Sequence, residues 1–182
     1  VLLTPCRAVD AATPVNLNTW TQEGASGAGN WTVVPDGTSV FQSTNGAPTM
    51  FVSPNEFINT SVSGSFRVET TGDDDFIGFV FGYQAPLGAD PVNGVDMILL
   101  DWKQLYQTNA DPGFRLAKVM GTHNGTSGTG NQIWPHSSDA NITFTSLGAP
   151  LVNAGWQDNQ TYAFDLVYQQ TNIEIHIQGG TG

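Results

Sequence analysis

Short apolar runs alternate with clusters of turn-forming residues along this chain. From Trp20 onward, the apolar runs recur between clusters of Gly, Pro, Asn, Asp, Ser and Thr. No apolar stripe with the 3.6-residue period of a helix extends over a helix length. The pattern therefore predicts an all-β fold. The predicted strands cover residues 31–34, 40–42, 49–52, 62–69, 76–83, 96–103, 114–120, 161–168 and 172–178.

Several of these strands alternate apolar and polar residues, as strands with one buried face do. Ile173, Ile175 and Ile177 share one face of the last predicted strand, and the aromatic residues of 162–168 share one face of the strand before it. The short polar turn at 169–172 predicts that these two strands form an antiparallel hairpin. Strands of this kind bury their apolar faces when two sheets pack as an antiparallel β-sandwich.

Two runs are apolar on both faces. Residues 79–81 read Phe-Val-Phe, and residues 97–100 read Met-Ile-Leu-Leu. A strand without a polar face is buried on both sides. We therefore expect these runs to form central strands that are covered by the second sheet, a loop or a short helix.

The two ends of the chain divide it into a terminal segment and one domain. Residues 1–12 form either the tail of a secretory signal or a strand, and residues 13–182 form the sandwich. The last predicted strand runs directly into Gly-Gly-Thr-Gly at 179–182, so we expect the sandwich to lack its final strands. An apolar segment such as 1–4 of a neighbouring subunit could fill that gap by donor-strand complementation and build a filament.

Composition narrows the classes of function. The 182 residues carry 5 Lys and Arg against 16 Asp and Glu, which gives a formal net charge of -11. This field repels nucleic acid and anionic lipid, and no apolar stretch is long enough to span a membrane. The single cysteine, Cys6, excludes an intrachain disulfide. The low charge content suits a secreted β-protein, whose solubility depends on neutral polar residues.

Three consecutive carboxylates, Asp73, Asp74 and Asp75, precede the strand at 76–83. Adjacent carboxylates repel one another unless they are solvated or neutralised. A hard cation such as Ca²⁺ binds six to eight oxygen ligands in flexible geometry and would neutralise them. The residues alone leave two interpretations open, a solvated acidic loop or a calcium site.

Four segments carry a resemblance to a known family. Residues 73–84 read Asp-Asp-Asp-Phe-Ile-Gly-Phe-Val-Phe-Gly-Tyr-Gln and resemble a signature strand of the thrombospondin C-terminal domain. Residues 97–104, which end in Trp-Lys-Gln, and residues 153–162, with Gly-Trp-Gln-Asp, resemble later strands of that domain in the same order. Residues 55–66 resemble the strand before the acidic loop, so the resemblance covers roughly residues 20–178.

The resemblance implies a lectin-like, concanavalin-type jelly-roll sandwich that is secreted and binds Ca²⁺. It makes Asp73, Asp74 and Asp75 the candidate calcium ligands, and it implies contacts with cell-surface or matrix proteins without catalysis. Self-association is expected from the donor-strand interpretation of the chain ends. The low Lys and Arg content and the signal-like start resemble the bacterial secreted relatives of this domain.

Other chemistry has weaker support in the residues. The three histidines have no metal-ligand spacing, no nucleophile elbow is present, and no paired-carboxylate motif of a glycosidase is visible. A carbohydrate-binding lectin is the closer alternative. Trp134 with Pro135 and His136, or Trp156 beside Asp158, could stack on a sugar and bind its hydroxyls. The interpretation that we favour is that each tryptophan closes one end of the sandwich core.

Overall fold

The computed structural model describes residues 13–84, 94–107, 109–122, 133, 136, 138–139, 141–150 and 153–179. Within these ranges the secondary structure is β, apart from a 3-10 turn at Leu17–Thr19. The strands are β1 (Thr21–Gly24), β2 (Trp31–Val33), β3 (Val40–Gln42), β4 (Thr49–Val52), β5 (Thr60–Phe66), β6 (Phe76–Gln84), β7 (Val95–Lys103), β8 (Gly113–Gly121), β9 (Ile142–Ser146), β10 (Tyr162–Tyr168) and β11 (Ile173–Gly179).

Two antiparallel sheets form the body of the fold. One has four strands in the order β6, β7, β8, β9, and the other has three in the order β5, β10, β11. Two short ribbons, β1 with β4 and β2 with β3, accompany them. Strands β10 and β11 pair from Tyr162 opposite Gly179 to Tyr168 opposite Ile173, which confirms the predicted hairpin.

The two larger sheets pack face to face through aromatic and aliphatic side chains. Phe79 and Phe81 of β6 and Leu100 of β7 lie in one cluster with Phe164 and Leu166 of β10. The ring centroids of Phe79 and Phe164 are 5.0 Å apart in an edge-to-face arrangement, which favours aromatic pairs. The predicted all-β antiparallel sandwich is confirmed.

The opposite face of the four-stranded sheet is also covered. Met97 of β7 and Val119 of β8 are fully buried there, in one cluster with Ile142 of β9 and Met50 of β4. Strand β4 therefore adds a third layer to the sandwich. As the apolar run at 97–100 predicts, β7 is buried on both faces.

Three details of the strand prediction differ from the structure. Strand β1 was not predicted, because Thr21–Gly24 contains no apolar residue and is a strand only through its pairing with β4. Strand β9, Ile142–Ser146, is also additional to the prediction. The strand predicted at 62–69 ends at Phe66, because the Val68 carbonyl leaves the sheet and accepts a 2.8 Å hydrogen bond from the Asn159 N–H.

The terminal predictions fall outside the described residues. They concern the segment 1–12 and the residues after Gly179. Among the residues that the structure describes, no helix has the length and apolar character needed to cross a membrane.

Candidate metal centre

The acidic loop, Asp73 to Asp75, stands directly before β6 at one end of the four-stranded sheet. One carboxylate oxygen of each aspartate lies within 4.8 Å of those of the other two. The Asp75 N–H donates a 3.2 Å hydrogen bond to Asp73 Oδ1, and Asn45 Nδ2 donates to the same oxygen at 3.4 Å. All three aspartates are half-buried. The fold thus brings together the three side chains that the sequence predicts as ligands.

Trp156 holds the acidic loop from the side of the sandwich core. Its ring is 2% exposed and packs in a cluster with Trp102 and Tyr162. Its Nε1–H donates a 3.1 Å hydrogen bond to the Asp75 carbonyl oxygen. A side chain in place of Gly155 would overlap the Gln104 carbonyl, so glycine allows this segment to lie close against the end of β7. The backbone of the loop is therefore fixed by a buried donor.

Lys103, the last residue of β7, holds the loop from the opposite side of the sheet. Its side chain is fully buried. Its Nζ donates to the Asp74 carbonyl oxygen, lies 3.3 Å from Gln107 Oε1 and lies 3.5 Å from Asp74 Oδ1. The ammonium also lies 5.6 Å from the ring centroid of Phe76, within the range of a cation–π interaction. The loop thus receives one positive charge from within the chain.

A second buried polar pair lies beside Lys103 on the same face of β7. Asp101 is buried, and its Oδ2 lies 2.7 Å from His136 Nε2. The imidazole packs against Phe76 and Phe144, with ring centroids 5.3 and 4.8 Å away. The sequence pattern predicts no role for Lys103 or Asp101. Both stand at the polar end of the run that begins at Met97, and that change of character was the available signal.

The electrostatic environment of the loop disfavours a full set of negative charges. Burial, followed by the charge of Asp73, raises the pKa of the Asp75 carboxyl above its ordinary value. The Lys103 ammonium opposes this shift, and the charge of Asp74 adds to it. Ionised Asp75 is therefore less favourable in the folded chain than in water, and a bound cation would remove this cost.

The arrangement fits a calcium ion. Calcium binds carboxylate oxygens at about 2.3–2.6 Å, so two ligands on opposite sides of one ion are separated by roughly 5 Å. The 4.8 Å span of the three carboxylate oxygens is within that limit. Asp73, Asp74 and Asp75 supply hard oxygen donors, which calcium prefers over nitrogen or sulfur.

The residues considered for sugar binding have different surroundings. Trp156 is buried in the sandwich core, so its ring faces cannot stack on a ligand, and its role is to close the core. Asp158 accepts a 3.1 Å hydrogen bond from Gln104 Nε2. Trp134 and Pro135 lie outside the described residues. His136 is engaged by Asp101, while the side chain of His176 is 66% exposed on β11.

The fold and the site together define a class of protein, an antiparallel β-sandwich with a clustered acidic loop at the end of its main sheet. The chain belongs to the thrombospondin C-terminal region family, whose profile matches residues 26–181. The family resemblance read from the sequence is therefore confirmed.

Individual relatives agree with the family assignment. The chain is 30% identical to thrombospondin-4-B of Danio rerio over 163 residues, which cover 84% of this chain and 16% of that protein. It is 29% identical to cartilage oligomeric matrix protein of Homo sapiens over 149 residues, 77% of this chain and 18% of the relative. It is 32% identical to thrombospondin-2 of Gallus gallus over 149 residues, 77% of this chain and 12% of the relative. The chain thus spans less than a fifth of the length of each.

Proposed function

We propose that this chain is a secreted, calcium-binding sandwich module that acts in adhesion or as a structural subunit of an extracellular assembly. The observation that carries the proposal is the cluster of Asp73, Asp74 and Asp75, whose carboxylate oxygens lie within 4.8 Å of one another. The loop that bears them is anchored by Trp156 and Lys103, so the ligands are already in place before a metal arrives. The proposal includes no catalytic step.

The function of calcium in this proposal is mechanical. The ion would neutralise carboxylates that repel one another and would join the loop to the start of β6. Because the folded chain holds these carboxylates in one fixed arrangement and the unfolded chain does not, calcium that binds the folded chain more tightly stabilises the fold by mass action. A rigid loop at the end of the main sheet would in turn offer a fixed surface to a partner.

The extracellular setting is proposed from the relatives. One of them is named as an oligomeric protein of the cartilage matrix. We extend to this chain a location outside the cell and a function in contacts with matrix or cell-surface proteins. The net charge of -11 disfavours anionic partners such as nucleic acid, so a protein partner is the better expectation.

The calcium proposal is tested by thermal unfolding with calcium chloride and with chelator. At a calcium concentration one hundred times the Kd, the expected stabilisation is about 2.7 kcal/mol, or roughly 5–10 °C in Tm for a chain of this size. Asp73→Asn and Asp75→Asn should each remove most of this gain. Asp165→Asn, which neutralises an exposed aspartate on β10, is the matched control and should retain it. Equal Tm values for the wild type in calcium and in chelator would refute the proposal.

A second candidate function, filament formation by donor strands, is favoured by the mismatch between the two sheets. The four-stranded sheet faces a sheet of three strands, and β11 is the last strand of the smaller one. Thr143 and Thr145 of β9 are exposed on the side that faces the smaller sheet, and Met120 of β8 is 46% exposed on that same side. In the described residues, this leaves room for a further strand beside β11.

We propose that residues 1–11 of a second copy supply that strand. An extended segment can continue a sheet through backbone hydrogen bonds, and head-to-tail addition of this kind does not close. The full chain should therefore form linear assemblies in negative-stain electron microscopy, and a chain without residues 1–11 should be monomeric. A synthetic peptide of residues 1–11 should bind the shortened chain, while a scrambled peptide should not. Assembly that persists after the deletion would exclude this mechanism.

A further inference from the structure

Lys103 carries a positive charge in a fully buried position. Its side chain is fully buried at the end of β7, while the acidic loop lies at the start of the neighbouring strand β6. A buried ammonium is costly unless an anion and hydrogen-bond acceptors surround it. The groups around Nζ include the carbonyl and the carboxylate of Asp74, the side chain of Gln107 and the face of the Phe76 ring.

The carboxylates at this end of the sheet differ in their partners, which identifies the ion pair of Lys103. Asp101 lies two residues earlier on the same face of β7, but its Oδ2 is held by His136 at 2.7 Å. Asp74 forms an ion pair with Lys103, with 3.5 Å between Nζ and Oδ1. Lys103 is therefore ion-paired with the middle aspartate of the acidic loop.

The other two aspartates are arranged together. Asp73 Oδ1 accepts a 3.2 Å hydrogen bond from the Asp75 N–H. Asp74, by contrast, has the Lys103 ammonium 3.5 Å from its Oδ1. The loop thus divides into a pair and a single residue.

We propose that Lys103 is the positioning residue of the metal centre: it pairs with Asp74, fixes the loop, and leaves Asp73 and Asp75 as the main ligands of a divalent cation. This inference rests on the proposed calcium function and assigns separate functions to its residues. It also explains the charge of the site. One ammonium and one divalent cation together balance three carboxylates, whereas a monovalent cation would leave one negative charge uncompensated.

The pairing can be tested without any metal, by urea unfolding in chelator. Asp74→Asn should lower the equilibrium constant for folding at least fivefold in the wild type, because it leaves the buried ammonium without its anion. In the background of Lys103→Met, which has a side chain of similar length and no charge, Asp74→Asn should have no such cost. Asp73→Asn and Asp75→Asn are matched controls in the same loop and should not lower stability in chelator.

The division of functions is tested by calorimetric titration with calcium chloride. Asp73→Asn and Asp75→Asn should each weaken calcium binding at least tenfold, and Asp74→Asn should weaken it less than about threefold. A purely structural function of Lys103 would not separate the three aspartates in this way. Equal losses for all three variants would overturn the proposal, as would an Asp74→Asn cost in chelator that persists in Lys103→Met.

The outcomes also distinguish this inference from the calcium function on which it rests. If the wild type binds no calcium, the proposed function and the ligand assignment both fail, while the unfolding experiment in chelator still decides whether Lys103 pairs with Asp74. If Lys103→Met does not fold, the comparison of Asp74→Asn with Asp73→Asn in chelator tests the pairing in the wild-type background. Equal stabilities of those two variants would refute it.

Discussion

At the scale of single residues, the acidic loop holds carboxylates in an electrostatically unfavourable arrangement. Asp75 is half-buried beside Asp73, and both its burial and that neighbour raise the pKa of its carboxyl. A structure optimised only for stability would not keep three adjacent carboxylates in partial burial. The buried Lys103 and the indole of Trp156 nevertheless hold the loop in this form. Such a cost is typical of a site that is completed by a ligand.

A substitution at Asp75 should therefore have opposite effects in the presence and absence of metal. In chelator at neutral pH, Asp75→Asn removes a charge that is less favourable in the folded chain than in water, and Tm should rise by about 1–3 °C. In saturating calcium, the same variant loses a ligand and should melt below the wild type. Differential scanning calorimetry of the wild type and of Asp75→Asn in both buffers measures whether the order of their Tm values reverses. A variant that melts below the wild type in both buffers would contradict the electrostatic explanation.

At the scale of elements, the sequence predicted those strands whose own side chains form a pattern. The alternating isoleucines of β11 and the continuous apolar run in β7 predicted their places in the sandwich. Strand β1 escaped prediction because Thr21–Gly24 has no apolar residue, and only the pairing with β4 makes it a strand. Strand β9 carries only Ile142 and Phe144 as an apolar signal, which is short for a periodicity argument.

The candidate site, like the strands, was predictable only where neighbouring residues in the sequence carry the pattern. Asp73, Asp74 and Asp75 are adjacent in the sequence, so their mutual repulsion could be inferred directly. The polar end of the run that begins at Met97 marks Lys103 as unusual, but its partner could not be inferred, because the pairing depends on the register that places Phe76 opposite Lys103. A shift of one residue in that register would move the ammonium to the other face of the sheet. Long-range pairing of this kind is decided by tertiary packing and leaves no local pattern.

At the scale of the whole molecule, the four-stranded sheet is the centre of the fold, because its two faces are covered by different parts of the chain. The smaller sheet covers one face, and β4 reaches across the other to the cluster around Met97 and Val119. The acidic loop stands at the end of this same sheet, beside Lys103 of the central strand β7. Calcium binding at the loop is therefore expected to stabilise the sheet that organises both layers.

The coverage of both faces can be tested with two methionines on neighbouring strands. Met97 of β7 is 0% exposed beneath β4, and Met120 of β8 is 46% exposed on the opposite face. Met97→Ala should lower the free energy of unfolding by about 2–5 kcal/mol, because it leaves a cavity between two layers. Met120→Ala is the matched control and should cost less than about 1 kcal/mol in the monomer, because its side chain is already half in water. Urea unfolding of the monomeric protein measures the free energy of unfolding of both variants. Equal losses for Met97→Ala and Met120→Ala would mean that β4 does not form a packed third layer.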